Sequence, residues 1–364
     1  MNTLFDQIES YRKKLGRSVL VLGHHYQSDE VIVHTDLRGD SYQLSAMAAQ
    51  NTECDHIVFC GVHFMAETAD ILANQTANLE KRNGKRINVL IPDTQAGCFM
   101  ADLAPIAEIE KAWAKLATFV DVRNVVPITY VNSSAALKAF CGRNGGIACT
   151  SSNAQAVLEW ALNQNKRVFF FPDSRLGINT ALHLGYSRDD MAGWTLIGDT
   201  NRALPDEFHS DERIKSAKFL FWEWYCDVHQ LFRPEQIDRF RKNFPEVRII
   251  VHPECMPEVV ALADAFGSTN HILEAVGKSP AGTHWAVGTE ARLVDRLKKM
   301  YPDKRIDHLS GEPAVCKTMN LITPERLASV LENLIAGKAV NVVRVDSQFT
   351  ADALVCLQRM LEVT

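Results

Sequence analysis

Three cysteines, Cys98, Cys226 and Cys316, lie at comparable positions in three parts of the sequence. They stand in the stretches TQAGCFMAD, WEWYCDVH and EPAVCKTMN, each after an apolar run typical of a buried strand. Three thiolates leave a tetrahedral zinc ion, or one iron of a [4Fe–4S] cluster, with an open coordination position. Such a position can act as a Lewis acid toward a substrate oxygen. Burial of each thiol in a separate core is the alternative, because free cysteine behaves as a small apolar residue.

Ring-bearing and hydroxyl side chains also recur in the three parts of the sequence. The ring-bearing residues each end an apolar run: His24, Tyr130 and His252. A hydroxyl follows each of them at the predicted start of a helix: Ser41, Ser151 and Thr269. Hydroxyls and free backbone N–H groups at helix starts bind carboxylate or phosphate, with ordinary N-capping as the alternative role. The pattern therefore predicts groups suited to a small polyanion.

Several residues of the same loops could move protons. Histidine exchanges protons near neutral pH, so His24 and His252 are candidates, with a structural role as the alternative. Glu254, two residues beyond His252, could orient a histidine or act as a base. Further hydrogen-bonding groups occur in these loops: Tyr26, Tyr130 and Asn132.

Nine short apolar runs must position these residues. They alternate with helical stretches, which is typical of α/β units with parallel sheets. The predicted strands cover 18–23, 56–60, 88–92, 125–130, 167–171, 218–222, 247–252, 284–288 and 305–309. They form three sets of three, and each set ends ahead of one of the three cysteines. Functional loops gather at the carboxyl ends of parallel strands, so three units around a common axis would bring the cysteines into one central cavity.

The composition is that of an ordinary globular protein. The chain has 364 residues, 46% of them hydrophobic, and its net charge of -5 gives no reason to expect nucleic acid or an anionic membrane as a partner. The stretch MNTLFDQIESYRKKLG lacks the apolar core of a signal peptide, and no apolar run approaches the roughly 18 residues of a membrane span. Nine scattered cysteines without a C-x-x-C pair indicate a cytoplasmic protein rather than a disulfide framework.

Twelve motifs occur in order between about residue 18 and about residue 335. They are GHHYQSDEV, RGDSYQLS, VFCGVHFMAETADIL, DTQAGCFMAD, YVNSSAALKA, CTSSNA, FFPDSRLGIN, CDVH, HPEC, ADAFGST, VGTEARL and VCKTMNLIT. Together they resemble the quinolinate synthase family. The resemblance implies an α/β fold of three similar three-layer αβα domains, with short parallel sheets arranged around a pseudo-threefold axis and the active site at their centre.

On this resemblance, the chain divides into three domains and a tail. The first domain covers 1–112 with the Cys98 loop. The second covers 113–243 with the Cys226 loop and an insertion at about 185–217, and the third covers 244–335 with the Cys316 loop. Residues 336–364 are predicted to pack back on the first domain.

The resemblance also implies a cofactor and a reaction. A [4Fe–4S] cluster would be held by Cys98, Cys226 and Cys316 alone and would serve as a Lewis acid in a late dehydration. The reaction would condense iminoaspartate with dihydroxyacetone phosphate to quinolinate, with release of phosphate and water, in de novo NAD biosynthesis. A functional link to L-aspartate oxidase, which would supply iminoaspartate, is possible on the same ground.

Site residues are carried over from the family motifs to matching positions. Proton transfer is assigned to Tyr26, His252 and Glu254. Substrate contacts are assigned to His24, Ser41, Tyr130, Val131, Asn132, Ser151, His252, Pro253, Glu254 and Thr269.

The sequence departs from the family pattern at three places. Trp224 stands where the family usually has a glycine, two residues before the second cysteine, which puts the local loop geometry in question. The polar stretch 185–217 is longer than expected and suggests a surface excursion, with a lid as the alternative. The stretch FCGRNGG at 140–146 also lengthens the second domain.

Two other functions use the same residues. A zinc-dependent lyase or hydrolase could bind its metal through the same three cysteines. A non-catalytic protein could enclose an anionic metabolite, with the cysteines merely buried. Iron and sulfide content separates these alternatives from a cluster enzyme.

Overall fold

Three β-sheets, each flanked by helices, form the framework of the molecule. The computed structural model describes residues 3–194 and 206–363. The parallel strands of the first and third sheets lie side by side in the order second, first, third, fourth when counted along the chain. The second sheet has the same order for its first three strands, but its fifth strand lies beside the third, and its fourth strand adds a parallel edge. The predicted α/β fold with three similar units of parallel strands is confirmed.

The elements fall into three units and a C-terminal segment. The first unit contains α1 (Leu4–Leu15), β1 (Val19–His24), α2 (Asp29–Ile32), β2 (Leu37–Gly39), α3 (Ser41–Gln50), β3 (His56–Cys60), α4 (His63–Ala73), α5 (Thr76–Lys81), β4 (Asn88–Leu90), α6 (Phe99–Asp102) and α7 (Ile106–Leu116). The second contains β5 (Val125–Tyr130), α8 (Ala135–Arg143), β6 (Ile147–Cys149), α9 (Ala154–Leu162), β7 (Arg167–Phe171), α10 (Ser174–His183), β8 (Met191–Gly193), α11 (Asp211–Ser216), β9 (Phe219–Phe221) and α12 (Pro234–Asn243). The third contains β10 (Arg248–Val251), α13 (Pro257–Leu262), β11 (Ala265–Phe266), α14 (Thr269–Lys278), β12 (His284–Gly288), α15 (Ala291–Met300), β13 (Arg305–His308) and α16 (Pro324–Ile335). The C-terminal segment adds β14 (Val342–Val343) and α17 (Ser347–Glu362).

Apolar runs and polar caps explain where these elements form. All six residues of β5 are buried, as expected for a parallel strand that helices cover on both faces. Helix starts are set by capping side chains, such as Asp40, which accepts the Gln43 backbone N–H at the start of α3. None of the helices within 3–194 and 206–363 is long and apolar enough to cross a membrane.

A short strand at one edge of each sheet was not predicted. These strands, β2, β6 and β11, have only two or three residues, too few for a periodic pattern to be recognised. Each pairs with the first strand of its unit: Gly39 with His24, Cys149 with Tyr130, and Phe266 with Val251. The hydroxyl-bearing residue follows each short strand closely. The pairing therefore brings each hydroxyl beside the end of the first strand.

The chain passes from one unit to the next through the loops after β4, β9 and β13, here named the cysteine loops because each contains one predicted metal ligand. The helix after the first loop, α7, packs on the second unit, where Trp113 contacts Phe140 and Phe169. The helix after the second loop, α12, leads into the third unit, where Phe244 packs against His284. The helix after the third loop, α16, packs against α1 and α2 of the first unit. Each predicted ligand thus lies at a junction between units.

Each unit also holds the first-strand loop of the next unit through one polar side chain. The contacts are Glu67 with the Ala135 N–H (3.0 Å), Asn179 with the Pro253 and Cys255 carbonyls (2.7 and 2.8 Å), and Arg296 with the His25 and Gln27 carbonyls (2.7 and 2.6 Å). Asn179 and Arg296 occupy equivalent positions, on the helix that follows the third strand of their units. The contacts run from first to second, second to third and third to first unit. They close the three units into a ring.

The C-terminal segment contacts two units. Strand β14 pairs antiparallel with β4 of the first unit, and α17 packs against α8 and β6 of the second unit and against α4 of the first. A Cβ at Gly142, within the stretch 140–146, would lie 1.9 Å from the Asp352 carbonyl oxygen. Only glycine therefore lets α8 approach α17 so closely. The domain boundaries at 112, 243 and 335 stay predictions.

The insertion predicted at about 185–217 is partly built into the second sheet. Strand β8 pairs in parallel with β9, and its three residues are buried. The interpretation of this stretch as a surface excursion is therefore wrong for Met191–Gly193. Residues 195–205 lie outside the described part of the chain, and the alternative of a lid stays a prediction.

Candidate active site

One cavity at the centre of the ring is lined by most of the predicted site residues. They are His24, Tyr26, Ser41, Cys98, Tyr130, Asn132, Ser151, Cys226, His252, Glu254, Thr269 and Cys316. Val131 and Pro253 lie in the same loops but face other groups. The Val131 N–H donates to the Cys149 carbonyl (2.7 Å), and the Pro253 carbonyl accepts from Asn179 (2.7 Å). All three units thus contribute to a single site.

The three predicted metal ligands enter the cavity from the three cysteine loops. Every cysteine of the chain is a free thiol. Burial raises the pKa of Cys98 to about 12, and the nearby Cys316 adds to the effect. Burial, followed by the charges of Glu254 and Cys316, raises the pKa of Cys226 well above its usual range. These thiols stay protonated at neutral pH unless a metal replaces their protons.

The donor chemistry of the three cysteines fits a metal centre. Three thiols that reach one cavity from three cysteine loops can hold a [4Fe–4S] cluster, in which each cysteine binds a different iron. Three thiolates can also bind a single zinc ion. The residues therefore fit a cluster with three cysteine ligands, and the alternative of a zinc ion on the same residues stays a prediction.

Two buried carboxylates fasten two of the cysteine loops. Asp173 Oδ2 accepts the Cys226 N–H (3.3 Å), while its Oδ1 caps helix α10. Glu290 Oε1 accepts the Cys316 N–H (3.2 Å), while its Oε2 caps helix α15. Both carboxylates stand two positions after the third strand of their units, where the first unit has Val62. The Cys98 loop therefore lacks this anchor.

The three hydroxyls predicted to bind anions have no hydrogen-bond partner in the described part of the chain. The alternative of ordinary N-capping is wrong for Ser41 and Thr269, because Asp40 and Ser268 cap helices α3 and α14. Ser41 and Thr269 are the first residues of these helices, and Ser151 lines the cavity in the turn before α9. Their hydroxyls and the first N–H groups of α3 and α14 are available to an anion.

Fixed positive charge is missing from the cavity wall. Among the described residues that line it, none is a lysine or an arginine. Positive charge for a polyanion must therefore come from helix N-termini, from a metal centre, or from a histidine that gains a proton.

The histidines and the glutamate of the cavity differ in charge. Burial lowers the pKa of His252 to about 3. Burial, followed by the nearby His25 and His252, lowers the pKa of His24 far below its usual value. Burial alone would raise the pKa of Glu254, but His252 and His229 outweigh it and lower this pKa. At neutral pH the rings of His24 and His252 are therefore neutral and lie near the Glu254 carboxylate, and these two histidines need a bound anion to take up protons.

A chain of polar groups joins Tyr26 to Glu254. The Tyr26 hydroxyl lies 3.0 Å from Thr289 Oγ1, which lies 3.3 Å from His229 Nε2. His229 Nδ1 lies 2.7 Å from Glu254 Oε2. Burial, followed by the charge of Glu254, raises the pKa of Tyr26 well above its usual value, so the phenol keeps its proton.

Four residues that shape the site were not predicted: Asp173, His229, Thr289 and Glu290. The available signal was a polar residue directly after a buried strand, as in FPDSR and VGTEARL. The three cysteines are also equivalent in their distance from a following helix. Each stands eight residues before the first residue of a helix, at Ile106, Pro234 and Pro324.

Trp224 fits the second cysteine loop without a strained backbone. Its φ is not among the positive values found in the described residues. It forms a parallel bridge with Asp173, and its carbonyl accepts from the Ser174 N–H (2.8 Å) and hydroxyl (2.9 Å). An extended backbone, rather than a glycine, therefore shapes this loop.

Comparisons with known proteins agree over nearly the whole chain. The family model described as quinolinate synthetase A protein matches residues 6–362. A quinolinate synthase of Rhodopirellula baltica is 53% identical over 360 residues, which cover 99% of this chain and 91% of the relative. A quinolinate synthase of Bacillus mycoides is 45% identical over 358 residues, covering 98% and 92%, and one of Bacillus cereus is 44% identical over 357 residues.

Proposed function

The chain belongs to the family of quinolinate synthetase A proteins and is an enzyme of NAD biosynthesis, and we propose that it condenses iminoaspartate with dihydroxyacetone phosphate. The products are quinolinate, phosphate and water. Cys98, Cys226 and Cys316 hold a [4Fe–4S] cluster.

One observation carries the proposal. Three thiols from three cysteine loops reach a cavity that also contains unpartnered hydroxyls. A non-catalytic anion-binding protein would have no need for this arrangement. A cluster bound by three cysteines offers one iron with an open position and supplies Lewis-acid chemistry.

Substrate binding falls to the first turns of two helices and the neighbouring loops. Ser41 and Thr269 offer a hydroxyl and a backbone N–H each, and Ser151 offers a third hydroxyl. These groups suit the carboxylates of iminoaspartate and the phosphate of the triose. Tyr130 and Asn132 add hydrogen-bonding groups from the opposite loop, and the backbone around Val131 and Pro253 shapes the walls.

Proton transfer falls to Tyr26, His252 and Glu254. The Tyr26 phenol is protonated and hydrogen-bonded to Thr289, which in turn contacts His229, so Tyr26 can give a proton to the substrate. The Glu254 carboxylate can accept one. His252 lies 3.8 Å from Glu254 and is neutral in the free protein. A bound anionic substrate raises its pKa, so the ring can then accept a proton from the substrate. His24 contacts the substrate from the first unit.

The cellular setting is part of the same proposal. Iminoaspartate comes from oxidation of aspartate, so a functional link to L-aspartate oxidase is expected. Nine free thiols and an iron–sulfur cluster suit the reducing cytoplasm.

Anaerobic purification followed by metal analysis and an activity assay tests the proposal. The protein should be brown and contain about four iron and four sulfide per chain. It should form quinolinate from dihydroxyacetone phosphate and iminoaspartate generated in place by an aspartate oxidase. Cys98→Ser should lose iron and activity, whereas Cys54→Ser, which removes a buried thiol outside the cavity, should keep both. A colourless active protein with one zinc would overturn the proposal.

A separate variant tests the proton-transfer role. His252→Ala should lower the rate of quinolinate formation by at least about 100-fold while iron content stays unchanged. Normal turnover with an intact cluster would exclude His252 as a proton carrier.

A further inference from the structure

A second group of possible metal ligands includes Cys226 and two other residues of the cavity. The Cys226 sulfur, a ring nitrogen of His229 and a carboxylate oxygen of Glu254 all lie within 4.8 Å of one another. Cys226 is partly buried, and His229 and Glu254 are 1% and 3% exposed. Cys226 belongs both to this group and to the proposed cluster site, whereas Cys98 and Cys316 belong only to the cluster site.

The donor atoms of this group converge. His229 Nδ1 lies 2.7 Å from Glu254 Oε2 but outside hydrogen-bonding geometry, so this buried nitrogen has no aligned partner. The other ring nitrogen lies 3.3 Å from Thr289 Oγ1, and the ring stacks on His252 at 4.5 Å. These contacts fix the orientation of the imidazole and leave Nδ1 free to bind a cation.

We propose that, in protein without its cluster, Cys226, His229 and Glu254 bind one zinc ion. A thiolate, an imidazole and a carboxylate form the three-ligand set of open zinc sites, and water or an anionic oxygen fills the fourth position. The Cys226 thiol releases its proton to solvent, the carboxylate and the neutral imidazole lose none, and the metal stays divalent.

The rearrangement that zinc requires is small. In a tetrahedral site with bonds of about 2.0–2.3 Å, neighbouring donor atoms are about 3.3–3.8 Å apart. The present separations reach no further than 4.8 Å, and the shortest is 2.7 Å. Movements of about 1 Å by side chains at the cavity wall bring the donors into place.

Zinc in this site excludes the cluster. Both need the sulfur of Cys226, so one chain cannot hold both. Zinc also occupies Glu254 and His229, which the proposed reaction uses. Zinc bound at this site therefore competes with assembly of the cluster.

Titration of cluster-free protein with Co²⁺ under anaerobic conditions tests the site, because Co²⁺ follows zinc into mixed sulfur and nitrogen sites and is coloured. One Co²⁺ per chain should bind, with a thiolate-to-cobalt absorption band, and one zinc should displace it. His229→Gln and Cys226→Ser should weaken Co²⁺ binding by at least about tenfold. Cys98→Ser and Cys316→Ser should bind it as the unaltered chain does. Loss of binding in Cys98→Ser or Cys316→Ser, or normal binding in His229→Gln, would overturn the inference.

Iron loading of the same variants keeps this inference separate from the proposed function. Cys98→Ser should lose iron but bind Co²⁺, and His229→Gln should bind iron but lose Co²⁺. If Cys98→Ser retains iron while the cobalt pattern holds, the cluster proposal fails and the zinc site stands. Circular dichroism and thermal unfolding show whether each variant is folded. Each expected result is tested by two variants, so the experiment still decides if one variant does not fold.

Discussion

At the scale of single residues, the part of the cavity that the structure describes lacks the fixed positive charge that its proposed anionic ligands would require. Quinolinate and dihydroxyacetone phosphate are anions, yet the described cavity wall contains no lysine or arginine. His24 and His252 are neutral because burial lowers their pKa values. Besides helix N-termini and a metal centre, protons taken up when the anion binds are therefore an expected source of positive charge.

Anion binding should take up protons in part through His24. The imidazole ring of His24 packs beside the rings of His25 and Tyr26. The charges of His252, Arg296 and Glu254 also act on its pKa. A bound dicarboxylate raises the depressed pKa of His24, so quinolinate affinity should increase as the pH falls from 8 to 6. Isothermal titration calorimetry in two buffers of different ionisation enthalpy measures this uptake. His24→Asn should reduce it, and an unchanged proton count in that variant would contradict the assignment.

His25 should make the fold sensitive to acid. Burial, followed by the charges of Arg296 and Arg38, lowers the pKa of this ring to about 4, and neither ring nitrogen has a hydrogen-bond partner among the described residues. The unfolded chain binds a proton near pH 6.5 and the folded chain does not, so stability is present above pH 6.5 and falls below it.

The expected size of this effect follows from the two pKa values. Between pH 6.5 and pH 5, His25 should cost about 1.5 kcal/mol of the free energy of unfolding. His25→Gln should make denaturant unfolding less dependent on pH by that amount. Because His25 does not line the cavity, the variant leaves the site residues in place. An equally steep pH dependence in the variant would rule out this contribution.

Many residues that line the cavity could be predicted from the sequence, but their charge states could not. The candidates for proton transfer and metal binding stood at strand ends, where polar residues are easy to notice. Their pKa values depend on burial by the other two units, and burial of this kind is not visible in a local stretch. His252 therefore looked like an ordinary proton carrier, although its pKa of about 3 keeps it neutral.

At the scale of elements, two of the three cysteine loops are anchored by side chains at the start of neighbouring helices. Asp173 and Glu290 each cap a helix with one oxygen and hold a cysteine N–H with the other. The same carboxyl group thus caps a helix and holds the backbone of a cysteine loop. This arrangement ties the position of the sulfur to the third strand of its own unit.

Asp173→Asn should loosen the second cysteine loop. The amide can keep one accepting oxygen, but its NH₂ group then meets the N–H of Cys226 or the helix start. Iron loss to a chelator under anaerobic conditions should become several-fold faster, and unfolding should cost about 1–3 kcal/mol less. Asp346→Asn alters a cap on α17 that touches no cysteine and serves as the control. Equal rates of iron loss in the two variants would argue against the anchoring role.

Strands within longer apolar runs could be predicted, and short strands outside such runs could not. All nine predicted strands are present, including β4 and β9 with only three residues each, because apolar runs of five or six residues mark the position of a buried strand. The edge strands β2, β6 and β11 are defined by pairing alone, since no apolar run surrounds their two or three residues. Strand β8 was hidden in a polar insertion, where a three-residue buried run, MAG, resembles a loop.

At the scale of the whole molecule, the three units are closed into a ring by contacts that all run in the same direction. Each unit supports the first-strand loop of the next through Glu67, Asn179 or Arg296. Each cysteine loop lies where the chain passes from one unit to the next. The site therefore depends on all three junctions, and no unit contains it alone.

Asn179→Leu should destabilise the ring at one junction. The change keeps the volume similar but leaves the buried Pro253 and Cys255 carbonyls without their donor, which should cost about 2–4 kcal/mol. Denaturant unfolding measures the loss, and quinolinate binding should weaken because the loop of His252 shifts. Asn333→Leu removes an exposed side chain that bonds within α16 and should change little. A loss below about 1 kcal/mol would show that this contact does not hold the junction.

The ring also fixes when the centre can be completed during synthesis. The third sulfur lies on the last cysteine loop, and α16, which follows it, packs on α1 at the opposite end of the chain. A nascent polypeptide leaving the ribosome can form its first two sheets early, but the last wall is added only when the final helices emerge. Delivery of iron and sulfide to the proposed cluster is therefore expected to follow translation, and a prematurely terminated chain would contain only two of its three proposed cysteine ligands.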